Sequence, residues 1–500
     1  MWLLLAPLCS SAFSFSGRSR SLPSRRLRGA PQTVDASASA ADASPGAFWF
    51  DRWWPLAFVS HAFVDKPQHV EVLGAPVVLW HDGDAFRAAL DQCPHRLARL
   101  SEGRITEAGC VECPYHGWAF DGEGACTAIP QAGERDPTAR AAATALPTST
   151  RAGVVWVWTS ALFDGGRPPV AADDAALDAL TLEEEVFAID GVRSIADYSR
   201  ELPLDATMLL ENVLDPSHLP YTHHDTISSR AAAGPVDLRL DDRRVRRDGF
   251  TLKKQFPGRS DVDGFVRFDA PSLVLSATDR GPEGFRDWNV VYAVPTAPGR
   301  CRLFVRVVFE VAKLRGPQRF IFEQVLPRAP DWAVHLSNHK VLEDDNIFLH
   351  HAGTALRRGD GRLHPEDWAT LMFMPTAADA GTRAFRRWLD DHTDARGPTY
   401  SRHLARDVPP GPRLGRAELI DRLETHTEQC AACSAAHAAT RRAVDASHAA
   451  AFGFLSLAAL ATSGREVLVG LALASYGVHA GARALAAEFA QGTYPPPRNR

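Results

Sequence analysis

An excess of either charge is lacking in this chain: 55 Lys and Arg stand against 60 Asp and Glu, a net charge of -5 over 500 residues with a pI near 6.4. That balance gives no electrostatic reason to expect nucleic acid as a partner. Cysteine is sparse as well, eight residues whose spacings form no regular disulfide framework. No apolar run reaches the ~20 residues that comfortably span a bilayer. Aromatics are plentiful, with 12 Trp and 25 Phe, which suits a large core containing an aromatic pocket. A chain this long exceeds one average domain, and roughly two to three units are expected.

Acidic residues are missing altogether before Asp35. Met1 to Ala12 is hydrophobic, too short to span a bilayer but long enough for a signal-peptide core, and Phe13 to Arg28 is rich in Ser and Arg. The join resembles the bipartite presequence of proteins imported into complex algal plastids; an ordinary secretory signal with a basic flank is the other reading. Residues 1–45 are therefore read as a targeting presequence and linker, the Ala/Ser/Asp-rich stretch 34–46 being flexible.

Four of the cysteines and histidines fall in one pattern, Cys93-Pro94-His95 and Cys113-Pro114-Tyr115-His116, which is C-x-H-x17-C-x2-H. Two facing loops, each giving one thiolate and one imidazole, are what a Rieske [2Fe–2S] centre needs. Cys93 and Cys113 would hold the inner iron, His95 and His116 the outer one. A structural Cys2His2 zinc site uses the same donors, but such sites more often put both cysteines in one knuckle. The prolines and Gly117 suit tight turns that aim backbone N–H groups at cluster sulfurs. Cys110 and Cys126 read as small core residues.

The fold expected is α+β. Short aromatic and β-branched runs punctuated by Gly, Pro and Asp from residue 48 to Val154-Val-Trp-Val-Trp158 predict an antiparallel β-domain over 46–165. After a linker near 164–177, residues 178–400 are read as a catalytic domain of helix-grip type, an antiparallel sheet around a helix. Its strands are expected near Phe250–Phe256, Ser272–Ser276, Trp288–Val294 and Arg302–Val311. In the last, Leu303, Val305 and Val307 alternate against Arg302, Phe304 and Arg306. Residues 401–447 read as a linker region with a C-x2-C. Ala449–Ser463 and Val467–Leu485 then predict a helical membrane hairpin over 448–487, with a soluble packing hairpin as the alternative.

A second metal site is expected around Glu211-Asn212-Val-Leu-Asp215-Pro-Ser-His218-Leu-Pro-Tyr-Thr-His223. A mononuclear iron needs two histidines and a carboxylate, with positions left open. His218 and His223 are five apart, about 140° around a regular helix, so they converge only if the helix is distorted. Pro220 between them removes a backbone donor and supplies that distortion. Asp215, three before His218, can orient the ligand's second nitrogen. The third ligand is sought in Glu343-Asp344-Asp345, although acidic runs are usually solvated.

These motifs, with Ile129-Pro-Gln-Ala, Phe385-Arg-Arg-Trp-Leu and His426-Thr-Glu-Gln-Cys430-Ala-Ala-Cys433, resemble the pheophorbide a oxygenase family. That family also contains chlorophyllide a oxygenase and translocon-associated relatives. The resemblance implies a trimeric oxygenase, ferredoxin as electron donor, O2 and a hydrophobic tetrapyrrole as substrates, and Asp345 rather than Asp344 as carboxylate ligand. It further implies that Asp215 bridges His116 of one subunit to His218 of the next. The expected activity is that of a plastid monooxygenase, in the thylakoid or inner envelope membrane, and among the family's reactions the one implied is the ring opening of pheophorbide a. Oxidation of chlorophyllide or protochlorophyllide is the alternative, as is a redox-sensing component of plastid import. Cys430 and Cys433 read either as a redox switch addressed by thioredoxin or as packing thiols. Arg96, Arg99 and Arg104 are candidates for docking an acidic ferredoxin.

Overall fold

The structure is a computed structural model that describes residues 47–133, 137–163, 168–281, 284–356, 368–393, 397–403 and 414–494. The presequence expected over 1–45 lies outside the described residues. From residue 53 onward the chain builds three small antiparallel sheets. Their strands are β1 (Trp53–Phe58), β2 (Gln68–Val72), β3 (Ala75–His81), β4 (Phe86–Leu90), β5 (Arg104–Ile105) and β6 (Val111–Glu112). They continue with β7 (Ala119–Phe120), β8 (Cys126–Ala128), β9 (Ala145–Leu146), β10 (Thr148–Arg151) and β11 (Val154–Trp158). The orders are β1-β11-β10, β2-β3-β4-β9 and β5-β6-β7-β8. Leu73 and Gly74, both at positive φ, close the two-residue turn from β2 to β3, the backbone form whose twist suits a hairpin.

The next seven strands are β12 (Val192–Leu202), β13 (Asp237–Leu240), β14 (Gly249–Gln255), β15 (Asp263–Asp269), β16 (Leu273–Asp279), β17 (Arg286–Ala297) and β18 (Arg300–Glu310). They form one sheet in the order β12-β18-β17-β16-β15-β14-β13, a meander with the first strand returned to the far edge. The four strands expected from sequence are present, and β12, β13 and β15 are added. The alternation expected in β18 does not hold: Val305 and Val307 are half-buried, whereas Arg306, Val308 and Glu310 are buried. Ion pairing reverses it. Arg306 meets both carboxylate oxygens of Asp197 at 3.0 and 2.8 Å, and Glu310 takes Arg286, so the face shared by Phe304, Arg306 and Glu310, expected to be the mixed one, is the more buried because its charges are paired.

Helix Ala206–Val213 lies against β17, and helix Ala380–His392 against β13 and β14. The 25-residue helix Asp331–Ala355 runs beside β12. One hydrophobic cluster, from Trp54 and Trp156 through Phe268 and Phe304 to Phe385 and Trp388, joins the small sheets to the large one. The C-terminal helices are longer than the apolar stretches suggested, Ala431–Leu460 and Arg465–Ala490, and Gly464 turns the chain between them at φ 67°. At 1.5 Å per residue the first is about 45 Å long. Both are long and apolar enough to cross a membrane, and Phe452, Leu460 and Leu473 stand exposed on them.

Beneath the first Cys/His loop, Asp91 accepts from the backbone N–H and hydroxyl of Ser101 at 2.8 and 2.6 Å and meets His69 Nδ1 at 2.8 Å. Burial alone would lower the His69 pKa, but its bonds to Asp91 and Glu71 raise it above the ordinary 6.5. Burial likewise pushes the Asp91 carboxyl up, and His69 and Ser101 more than reverse this, leaving it below the ordinary 3.8. A raised histidine stabilises the fold fully below its unfolded pKa, and that contribution fades as pH rises through the folded value. A depressed carboxyl contributes above its unfolded pKa and loses it as pH falls through the folded one. The difference in Tm between wild type and His69→Gln, followed by thermal unfolding, is therefore expected to be largest between about pH 4 and 6.5 and to shrink above that window.

Candidate metal centres

The two Cys/His loops are closed alike. Cys93 N–H donates to Ala98 O and Leu97 N–H to Cys93 O, at 2.8 and 2.9 Å; Cys113 N–H donates to Trp118 O and Gly117 N–H to Cys113 O, at 2.8 and 3.1 Å. Each loop needs a left-handed residue four after its cysteine. Gly117 fills that position at φ 73°, while Leu97 fills it at φ 63° against the usual steric preference. The turns bring the two thiols within hydrogen-bonding reach of each other and aim the backbone N–H groups of His95 and Arg96 at the Cys93 sulfur. Burial and the neighbouring Cys113 push the Cys93 thiol up to about 11, with those N–H groups pulling the other way. The His95 and His116 rings lie 4.6 Å apart, and the His95 ring stacks on Trp118.

His95 Nδ1 is buried with no hydrogen-bond partner among the described residues, a cost that ligation by a metal would remove. Two adjacent thiols, two adjacent imidazoles and N–H groups turned toward sulfur make a donor set that fits a two-iron cluster with mixed ligation. Leu97 and Tyr115 are exposed on the loop tips, as are Arg96 and Arg99. Arg104 is occupied, its guanidinium bonded to both oxygens of Glu112 at 2.7 and 2.8 Å.

The second grouping is His218, His223 and Asp345, whose donor atoms all lie within 4.8 Å of one another. His218 ends a 3-10 turn, Pro216–His218, and the one-turn helix Leu219–Thr222 separates it from His223. The break at Pro220 thus turns residues five apart toward a common point. His223 Nε2 is 3.4 Å from Asp345 Oδ2, and Asn212 Nδ2 donates to Asp345 Oδ1 at 3.2 Å. Burial lowers the His218 pKa, with the charge of Asp345 opposing it, so the ring is held in the neutral form that binds a metal. Two imidazoles and one carboxylate on one side suit a mononuclear iron with open positions.

Asp215 does not act as its spacing suggested. Its main-chain carbonyl faces His218 Nδ1, while its carboxylate accepts from the backbone N–H and hydroxyl of Ser217 at 2.8 and 2.5 Å. An Asp-Pro-Ser turn uses that carboxylate as its cap, which leaves the carbonyl to fix the imidazole.

The acidic run is not solvated. Glu343, Asp344 and Asp345 are all buried, and they separate into three jobs. Glu343 holds Arg422 through both oxygens at 2.6 and 2.7 Å and Arg200 at 3.1 Å. Asp344 sits 3.8 Å from His223 Nδ1 and accepts from Thr226 Oγ1 at 3.3 Å, on the side of the ring away from Asp345. Asp344 was weighed in sequence only as a rival ligand; Asn212 carried no signal beyond its place in the motif. Glu211 forms a buried ion pair with Arg386 of the Phe385-Arg-Arg-Trp-Leu motif, tying two distant motifs together. Cys430 and Cys433 are both buried, beside His335 and His426.

A small β-domain with paired Cys/His loops, ahead of an antiparallel sheet flanked by helices that carry a two-histidine, one-carboxylate group, defines a Rieske-type non-haem iron oxygenase. Residues 52–148 match the Rieske [2Fe-2S] domain and residues 268–362 match pheophorbide a oxygenase. A pheophorbide a oxygenase, chloroplastic, of Oryza sativa subsp. japonica is 30% identical over 427 residues, 82% of this chain and 76% of its own. A flavonoid 8-hydroxylase 2, chloroplastic, of Ocimum basilicum is 30% identical over 415 residues, 78% and 73% of the two chains. Among solved structures, dicamba monooxygenase bound to 3,6-dichlorosalicylic acid shares the fold with a TM-score of 0.50 and 19% identity, over 69% of this chain and 97% of that one. The chain belongs to the pheophorbide a oxygenase family, and its cofactors are a Rieske [2Fe–2S] cluster and a mononuclear iron.

Asp345→Asn is expected to strip the mononuclear iron and lower turnover by at least about 100-fold, and Asp344→Asn to weaken iron binding about 10–100-fold by loosening His223. Iron content, read beside the electron paramagnetic resonance of the cluster, checks both. A full loss with Asp344→Asn and none with Asp345→Asn would reverse the two roles.

Proposed function

We propose that this oxygenase acts in a plastid, on a chlorophyll-derived tetrapyrrole, and that ring opening of pheophorbide a is its reaction. The observation that carries the reading is the convergence of His218, His223 and Asp345 in a chain related at 30% identity to a pheophorbide a oxygenase. A component that only carried or sensed electrons would not need that grouping. When bound, the cluster at Cys93, His95, Cys113 and His116 supplies electrons and the mononuclear iron at His218, His223 and Asp345 activates O2. Asp344 and the Asp215 carbonyl orient the two imidazoles from behind. The Asp215 carboxylate lies in the capped turn next to His218, where it can receive His116 of a neighbouring subunit in a homotrimer. Ferredoxin is the proposed donor, and the C-terminal helices are proposed to anchor the chain in a thylakoid or envelope membrane, in keeping with their exposed apolar side chains.

A flavonoid substrate is the second reading, because the basil relative named a flavonoid 8-hydroxylase is as similar to this chain as the rice one. Detergent-purified protein with both irons, given reduced ferredoxin and labelled dioxygen, should be offered pheophorbide a, chlorophyllide a, protochlorophyllide a and a flavone in parallel. A ring-opened product of pheophorbide a carrying label, seen by mass spectrometry, is expected. Label only in a flavone would install the second reading, and recovery of the chain in the soluble fraction without detergent would remove the membrane anchor. The exposed Arg96 and Arg99 are proposed to meet the donor, so Arg96→Glu with Arg99→Glu should raise the KM for ferredoxin about tenfold or more at low salt and less at high salt. An unchanged KM in steady-state assays would dismiss that surface.

A further inference from the structure

Outside both iron sites, four more metal-binding side chains converge: His335 of the long helix, His426 of the turn Leu423–Thr427, and Cys430 and Cys433 at the start of helix Ala431–Leu460. All four are buried, and each offers a donor atom within 4.8 Å of the others. Four separations among those atoms are resolved: His426 Nε2 to His335 Nδ1 is 3.2 Å, Cys433 Sγ is 3.3 Å from each histidine, and Cys430 Sγ is 3.6 Å from His335 Nδ1. Ligands at ordinary zinc–nitrogen and zinc–sulfur lengths on a tetrahedron stand about 3.3 to 3.8 Å apart. The four separations, 3.2 to 3.6 Å, lie close to that spacing. We propose that His335, His426, Cys430 and Cys433 bind a zinc ion in a closed structural site.

The surroundings suit a metal better than a dithiol switch. His426 is turned by its other nitrogen, Nδ1, onto the main-chain oxygen of Ser199 at 2.6 Å, the outer contact that metal-bound histidines commonly make. The His61 ring closes the opposite side against His335, with centroids 4.4 Å apart. Both cysteines belong to one C-x2-C knuckle, the arrangement typical of structural zinc and unlike the split loops at Cys93 and Cys113. Binding deprotonates both thiols, so the two protons leave and a neutral Zn²⁺–dithiolate–diimidazole unit is buried, which avoids the cost of burying a lone charge. With Cys430 and Cys433 at 2% and 0% exposure, a thioredoxin would have no sulfur to attack without local opening.

The site would pin the base of the C-terminal hairpin to the helix that carries Asp345, ten residues or about 15 Å farther along. Metal analysis of the full mature chain with both irons is expected to find about one zinc per chain, retained in Asp345→Asn and lost in the Cys430→Ser, Cys433→Ser double variant while the Rieske signal persists. Should the double variant fail to fold, wild-type protein settles the matter: a mercurial thiol reagent should release that zinc to a chromogenic chelator, and growth in cobalt should give tetrahedral cobalt–thiolate absorption. Wild-type protein without zinc, holding iron there instead, or with Cys430 and Cys433 joined in a disulfide or freely alkylated under native conditions, overturns the proposal.

Discussion

A single helix has to bury charge. His335, His339, Glu343, Asp344, Asp345 and Asn346 all lie inside the protein on Asp331–Ala355, and an unpaired ion there would cost several kcal/mol. Each of the three carboxylates therefore dictates what must come to meet it. Glu343 requires Arg200 from β12 and Arg422 from the C-terminal region; Asp344 and Asp345 require His223 from two sides. The grouping of His218, His223 and Asp345 is one outcome of that requirement. The attachment of the C-terminal hairpin is another, because Arg422 also reaches Glu488 at 2.9 Å near the end of the last helix.

The same logic operates with less charge at the cluster loops. Two short loops repeat one hydrogen-bond pattern, and the repetition places two sulfurs side by side and two imidazoles side by side. Leu97 accepts a left-handed backbone so that the first loop can copy the second. A non-glycine residue at that φ costs on the order of 1 kcal/mol, and it persists because both ends of the loop are bonded and Asp91 braces the strand below.

The two candidate iron sites stand on separate supports. The cluster loops project from a small sheet with exposed tips, suited to meeting another protein. The mononuclear site is enclosed between the broken helix after Val213 and the long helix, suited to excluding water. A shared hydrophobic core from Trp54 to Trp388 fixes the two supports in one frame. Motion of one relative to the other would have to open that core.

Local chemistry was legible from sequence wherever it depends on short spacing: the Cys93-x-His95 and Cys113-x2-His116 loops, the break at Pro220, the turn at Gly117 and the apolar C-terminal helices. These depend on steric and ligand rules that act within a few residues. What joins Asp344 to one side of His223 and Asp345 to the other, what reverses the faces of β18 around Arg306, and what sends the Asp215 carboxylate to Ser217 were settled only by tertiary structure. So was the meeting of His335 with Cys430 and Cys433, nearly a hundred residues apart. A buried charge is satisfied by whichever partner the fold delivers, and that partner leaves no periodic trace in the chain.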